Sequence, residues 1–325
     1  MDKGQTLNWG IIGCGDVTEV KSGPAFNQVP NSKLYAVMRR SADKAADYAK
    51  RHQVPVWYND AEALINDPHV HAIYIATPPV DHEKYTIAAL RAGKPVYVEK
   101  PMSLSAQSCN RMAAAAEECG VKLTVAHYRR ALPYFIKIKE LVKEIGDLRF
   151  ATINVYQPPT SQLIAASETN WRVDPSVSGG GLFHDLAPHH IDILNWLFGF
   201  PTAVMGFSAN QSLRNGAADI VSALLTYQTF PVIGTWCFEA PHPLDSCEIV
   251  GANGSVQFAF HGNEIVWRQG EKLTNFPFIH PKHVQEPMIA AVVRYFRNET
   301  AINPCDAEQG IETLKIIDEL TGSGH

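Results

Sequence analysis

Hydrophobic positions follow two patterns that change partway along the chain. From Leu7 to about Val125, short apolar runs alternate with stretches whose apolar residues recur at helical spacing. Asn8–Ile12, Leu34–Met38, Ala72–Ala76, Val96–Val98 and Lys122–Val125 read as strands. Ser41–His52, Ala61–Ile65, His82–Ala92 and Ser105–Cys119 read as helices, with Ser105, Gly93 and Gly120 as cap signals. Strands alternating with helices predict right-handed βαβ crossovers and an α/β domain with a doubly wound parallel sheet.

After a helix predicted over Leu132–Ile145 the grammar shifts to successive strands. These are Arg149–Tyr156, Ala203–Ala209, Asp219–Tyr227, Val232–Phe238, Ser246–Val250, Ser255–Phe260 and Ile265–Arg268. Many alternate polar with apolar positions, and Asn253-Gly254 marks a turn, so a largely antiparallel sheet with one covered face is expected. Helices over His283–Arg297 and Asp306–Leu320 close the chain. No Pro/Ser-rich linker interrupts it, so two domains are expected, 1–125 and 126–325, meeting at a tight junction.

The first strand runs into Gly10-Ile-Ile-Gly13-Cys-Gly15-Asp16-Val17-Thr18. A strand that stops at a Gly-x-Gly turn and opens a helix is how a dinucleotide pyrophosphate is received. Glycine closes the turn, and the helix N-terminus presents unpaired N–H groups. Thr18 replaces the third glycine of the usual pattern, and a plain tight turn also fits the segment. The second strand ends Val37-Met38-Arg39-Arg40-Ser41, with no acid to accept from a ribose 2′-hydroxyl. Two guanidiniums suit a 2′-phosphate, so NADP is expected over NAD.

Bulk properties narrow the partners. The 325 residues are 46% hydrophobic and 19% charged, with a net charge of −5. That balance fits a globular protein without nucleic-acid or anionic-membrane partners. No apolar run approaches the ~20 residues of a membrane span. The six cysteines include no C-x-x-C pair, and no leader-like stretch precedes the first strand, so a reducing cytoplasm is expected.

Two clusters carry candidate chemistry. The first is Glu99-Lys100-Pro101 at a strand end. Its ammonium can donate to a carbonyl or hydroxyl oxygen, and an X-Pro amide tolerates cis geometry that turns the lysine toward a ligand. An ion pair between Glu99 and Lys100 fits the same segment. The second is Gly179-Gly-Gly-Leu-Phe-His184-Asp185-Leu-Ala-Pro188-His189-His190-Ile-Asp192. Pro188 belongs in a helix's first turn, which predicts Asp185 as N-cap of a helix running to about Phe198. Asp185, His189 and Asp192 then share one face. A histidine there can take a hydroxyl proton while a carboxylate orients it, with the triple glycine letting a ligand approach. Capping by Asp185, packed core histidines, or a metal held by His184, Asp185, His189 and Asp192 fit the same residues.

The ordered series Gly10-x-x-Gly13-x-Gly15, Thr77-Pro78-Pro79 with His82, Glu99-Lys100-Pro101, Trp171-Arg172-Val-Asp174-Pro175 and Gly179-Gly-Gly through Asp185-x-x-x-His189 resembles the glucose–fructose oxidoreductase/inositol dehydrogenase (Gfo/Idh/MocA) family over essentially the whole chain. The resemblance implies an N-terminal Rossmann domain and a C-terminal α+β domain with a large open-faced sheet. It implies NAD(P)-dependent oxidation or reduction of a sugar, cyclitol or related polyol, by a homodimer or homotetramer. Lys100, His189 and Asp185 match its catalytic positions. Gly13, Gly15, Asp16, Val17, Thr77, Pro78, His82, Glu99 and Lys100 match cofactor-lining positions, and Arg39 and Arg40 match the place where members choose between cofactors. Tyr128 and Arg172 would border substrate beside Lys100, Asp185 and His189. Ala126-His127-Tyr128-Arg129-Arg130 departs from the frequent Gly-Phe-Asn-Arg-Arg, which bears on substrate identity. Some relatives are NAD-dependent glycosidases that oxidise a sugar transiently. A nucleotide-sensing regulator would need neither the lysine nor the histidine.

Overall fold

In the computed structural model, which describes residues 5–159, 171–214 and 216–322, the apolar runs of the first third become a parallel sheet. In chain order the elements are β1 (Leu7–Ile12), α1 (Asp16–Val20), β2 (Ser32–Met38), α2 (Ala42–His52), β3 (Val56–Tyr58), α3 (Ala61–Asn66), β4 (Ala72–Ile75), α4 (His82–Arg91), β5 (Val96–Val98), α5 (Ala106–Cys119) and β6 (Leu123–Val125). The strand order is β3-β2-β1-β4-β5-β6, with every neighbouring pair parallel. This is the Rossmann order. The sheet's centre is buried on both faces, so β4 and β5 read as unbroken apolar runs with no alternation. Of the expected caps, Ser105 forms a reciprocal capping box with Ser108 on α5 and Gly120 closes that helix in the left-handed region; Ser41 Oγ also caps α2, accepting from the Lys44 amide. β3 escaped sequence analysis because three residues are too few to reveal a period.

The second sheet follows α6 (Pro133–Val142) and comprises β7 (Leu148–Tyr156) and, after α7 (Pro175–Ser178) and α8 (Leu182–Phe198), β8 (Ala203–Ala209), β9 (Ile220–Thr226), β10 (Pro231–Cys237), β11 (Leu244–Gly251), β12 (Gly254–Phe258), β13 (Glu264–Gln269) and β14 (Lys272–Pro277). Its order is β14-β13-β12-β11-β7-β10-β9-β8. The β7–β10 pair is parallel and the other pairs are antiparallel. One face is covered, with Ile153, Val155 and Trp236 buried. The edge of Phe183 on α8 meets the Trp236 ring at 5.3 Å. The opposite face leaves Phe150, Met205, Phe207 and Ile233 exposed.

The chain ends with α9 (Glu286–Phe296) and α10 (Ala307–Thr321). Here the contiguous second domain expected at 126–325 differs from the structure. One unit comprises Met1–Tyr128 with Pro281–Ile311, the other Arg129–His280 with Glu312–His325, each over its described residues. The reason is the apolar face of α9, which needs a core to enter. Phe296 stacks on Trp9 at 5.6 Å, and the Val125 amide donates to the Cys305 carbonyl at 2.9 Å. Among the described residues no helix is long and apolar enough to cross a membrane.

Candidate active site

The glycine turn is built for close approach. Gly13 has φ +93°, and a Cβ there would lie 2.7 Å from the Thr77 amide nitrogen, so only glycine fits. At Gly15 the direction a Cβ would take is open, with nothing nearer than the Gly13 carbonyl at 3.9 Å. Gly15 is also the N-cap of α1, and no side chain caps that helix end. The helix it opens is short. It stops at Val20, and a 3-10 turn at Gly23–Asn27 follows. Thr18 turns its hydroxyl back to the Gly15 carbonyl at 2.8 Å. Close packing falls to Gly23 instead, where a Cβ would lie 2.3 Å from the Thr18 carbonyl oxygen.

Around the turn, Asp16 and Arg40 are exposed, while Val17, Arg39, Thr77, Pro78 and Lys100 are half-buried. Burial pushes the Cys14 thiol up to about 12, against the pull of the Arg39 guanidinium. Thr77 Oγ1 is buried without a hydrogen-bond partner among the described residues. An uncapped helix end, an open Cα at Gly15 and an orphaned hydroxyl form a cradle that a dinucleotide fits.

Two of the expected cofactor-lining residues serve the protein itself. His82 is fully buried, with Nε2 2.7 Å from the Thr77 carbonyl and Nδ1 3.0 Å from that of Pro101. Burial holds its pKa below the ordinary value against the pull of both carbonyls, and with one carbonyl at each ring nitrogen neither is left for a nucleotide. Glu99 is 5% exposed and accepts from the Tyr74 hydroxyl, from Gln285 Nε2 at 2.6 Å and from the Lys100 amide at 3.1 Å. Both residues therefore fasten the loops that flank Lys100. The Lys100–Pro101 bond is cis. Tyr128, expected to border substrate, is 7% exposed at the end of the first unit's leading segment.

In the second unit, α8 begins at Leu182 with Gly181 as its N-cap, which corrects the expectation that Asp185 caps it. Pro188 lies inside the helix. The missing N–H costs one bond, yet the helix continues because twelve of its seventeen residues are buried. Asp185 and His189 sit one turn apart on it. Arg172 Nε lies 3.2 Å from Asp185 Oδ2, and its guanidinium is 4.4 Å from the Trp171 ring. The structure thus brings Arg172 and Asp185 together, with His189 7% exposed. Asp192 is taken by Arg130, whose Nε and Nη2 grip both carboxylate oxygens at 2.6–3.0 Å. His184 faces Gly180. Among the described residues no three His, Cys, Asp or Glu side chains gather as a metal site. The glycines also answer to local packing and backbone geometry. A Cβ at Gly180 would meet the His184 ring at 2.1 Å, and Gly179 and Gly181 take φ of +93° and +80°.

Sequence reasoning missed Arg130, Gln285 and Trp236, whose indole donates to His190 Nδ1 at 2.9 Å. A double arginine and a glutamine before a Pro-marked helix start are visible in the sequence, but their partners are far away in it.

Comparison with known proteins fixes the class. Residues 7–127 match the model of the Gfo/Idh/MocA oxidoreductase family, NAD-binding Rossmann fold, and residues 135–257 match the Gfo/Idh/MocA C-terminal domain. The chain belongs to this family of NAD(P)-dependent oxidoreductases. It is 43% identical to "Oxidoreductase P35" of Formosa agariphila over 98% of this chain and 99% of that one. It is 28% identical to the scyllo-inositol 2-dehydrogenase (NADP(+)) of Bacillus subtilis, over 97% and 93% respectively. The crystal structure of aldose-aldose oxidoreductase from Caulobacter crescentus, complexed with glycerol, shares the fold with a TM-score of 0.85. Its identity is 22%, over 97% of this chain and 96% of that one.

Proposed function

We propose that this enzyme transfers a hydride between NADP(H) and a secondary hydroxyl or carbonyl of a sugar, cyclitol or related polyol. The observation that carries the reading is Lys100, set at the carboxyl end of β5 and fastened on both sides. Glu99 holds its amide, and His82 lies against the carbonyl of the next residue. In a Rossmann sheet the ligands bind at the carboxyl ends of the strands.

The bound nicotinamide supplies a carbon that accepts or returns a hydride. The chain's residues do the rest. Gly13, Gly15, Asp16, Val17, Thr77 and Pro78 form the cradle, and Arg39 with Arg40 takes the 2′-phosphate. Lys100 donates to the reacting oxygen and steadies the charge that builds there as the C–H bond breaks. His189 receives the hydroxyl proton, so alcohol becomes carbonyl with one hydride and one proton removed; reduction runs the same steps backwards. Asp185, paired with Arg172, orients the substrate hydroxyls. The dehydrogenase from Bacillus subtilis supports both the cyclitol class and the NADP preference.

The test is a nicotinamide absorbance screen of sugars, inositols, sugar acids and anhydrosugars, with both cofactors and in both directions. For a substrate so found, Lys100→Ala and His189→Ala should each cut turnover by about 10²–10⁴-fold while cofactor affinity stays near wild type. Full turnover in both variants would remove these residues from the mechanism.

A further inference from the structure

The residue immediately before α9 carries a role that the mechanism above leaves unassigned. Gln285 is the N-cap of α9, yet its side chain makes no cap bond. It is instead completely buried, 0% exposed, and every polar atom of its amide is used. Nε2 donates to Glu99 Oε1 at 2.6 Å and approaches the Tyr74 hydroxyl at 3.4 Å. Oε1 accepts from the Tyr97 hydroxyl at 3.1 Å. The orientation is dictated by chemistry, because a reversed amide would set its oxygen against a carboxylate.

The two tyrosines face each other across β4 and β5, where they are register partners with rings stacked at 5.2 Å. Burial, reinforced by the Glu99 charge, drives both phenols well above their ordinary pKa, so they remain hydroxyl donors. Glu99 spends Oε1 on Tyr74 and Gln285 and Oε2 on the Lys100 amide. The same stretch also holds the end of α1. The Gln285 backbone N–H donates to the Lys21 carbonyl at 3.1 Å, and His283 Nδ1 lies against the Val20 carbonyl. A segment 186 residues from Glu99 in sequence thus grips the carboxylate that holds the lysine.

We propose that Gln285 is a positioning residue for Lys100, acting through the Glu99 carboxylate. The proposal rests on the role given to Lys100 above. With the Gln285 donor in place, the carboxylate is fixed at one oxygen and its other oxygen is aimed at the Lys100 N–H. Without it, the carboxylate rotates on the Tyr74 contact alone and the lysine backbone loses its anchor.

The test uses the full-length enzyme and reads the anchor directly. Gln285→Met keeps the side-chain length and removes both donor and acceptor. Site-resolved exchange of the Lys100 amide hydrogen should quicken by about tenfold or more. The adjacent Glu99 amide, bonded to the Ile75 carbonyl at 2.9 Å, should change by less than about threefold. Unchanged exchange at Lys100, or equal acceleration at both amides, overturns the proposal.

Gln285→Glu is the second variant and decides the matter alone if the first does not fold. Beside Glu99 its carboxyl donates only while the pair shares a proton. Lys100 protection, relative to wild type, should therefore be kept in acid and lost as the pH rises through that shared titration. A ratio that does not vary with pH is the mark of mere packing and sinks the idea. Lys100→Ala separates the two readings: full turnover in that variant refutes the role of the lysine, and the exchange data still decide Gln285.

Discussion

His184 makes a pH experiment quantitative. The side chain is 1% exposed on α8, packed so tightly over Gly180 that a single added methyl there would collide with it. Burial drives its pKa down from 6.5 to about 4, against the opposing pull of the Gly180 backbone. In the unfolded chain the imidazole titrates near its ordinary value. Between the two values the unfolded state therefore binds more protons, and stability falls as the pH drops. The gap amounts to about 3 kcal/mol once the pH is below the folded value, and to about 2 kcal/mol near pH 5. Urea unfolding of the wild type and His184→Gln, at one protein concentration and at about pH 7 and pH 5, isolates this share. The variant is expected to be less stable near neutrality, because packing is lost. Between the two pH values, however, it should lose about 2 kcal/mol less than the wild type. Asp245 and Glu19, both held at about 2, titrate alike in the two proteins and cancel in the difference. Equal losses in the two proteins would mean that His184 does not enter the folded state neutral, and the reasoning from burial would fail.

Other consequences are directly measurable. Asp192→Leu removes the carboxylate that the Arg130 guanidinium, 7% exposed, grips and should cost about 3–5 kcal/mol, whereas the double variant with Arg130→Met should recover most of it; a double variant no better than the single one would show that the pair contributes through geometry alone. Replacing Arg39 and Arg40 together by alanine should weaken NADP(H) binding by about tenfold or more and NAD(H) by less than about threefold in calorimetric titration; equal losses would remove the 2′-phosphate from their role. The exposed Phe207 and Ile233 lie on the open side of the second sheet. If that face joins copies of the chain, Phe207→Glu with Ile233→Glu should shift sedimentation from a dimer or tetramer to the monomer, and an unaltered profile would clear the face of that role.

What was legible in the sequence was what depends on spacing. The parallel strands announce themselves as apolar runs because they are buried on both faces, and the second sheet announces itself by alternation because one face is open. β14, with only Thr274 and Phe276 partly shielded, carries too little alternation to be seen. The candidate residues were legible as types. Lys100 at a strand end and Asp185 with His189 one turn apart follow from local order alone. Their partners did not, since Arg130 reaches Asp192 across 62 positions and Gln285 reaches Glu99 across 186. A periodic pattern records that a side chain is buried; it does not record against what.

The mistaken start of α8 shows why a sound local rule gives way there. Pro188 marks the first turn of a helix when propensity decides where the helix starts, and by that rule Asp185 is the cap. Here burial decides. Phe183, Leu186 and Ile191 are at most 5% exposed, and each stabilises the helix by about 1.5–3 kcal/mol. Those contributions together exceed the ~3 kcal/mol that an interior proline costs. The outcome is a start four residues earlier, with Gly181 in place of Asp185 as the cap, at glycines whose positive φ turns the chain into the helix, and it moves Asp185 from the cap into the helix body. A capping aspartate would have spent its carboxylate on backbone amides. One turn inside, it is available to Arg172 and stands on the same face as His189. The packing that overrides the proline is therefore what keeps the Asp185 carboxylate off the helix cap and beside Arg172.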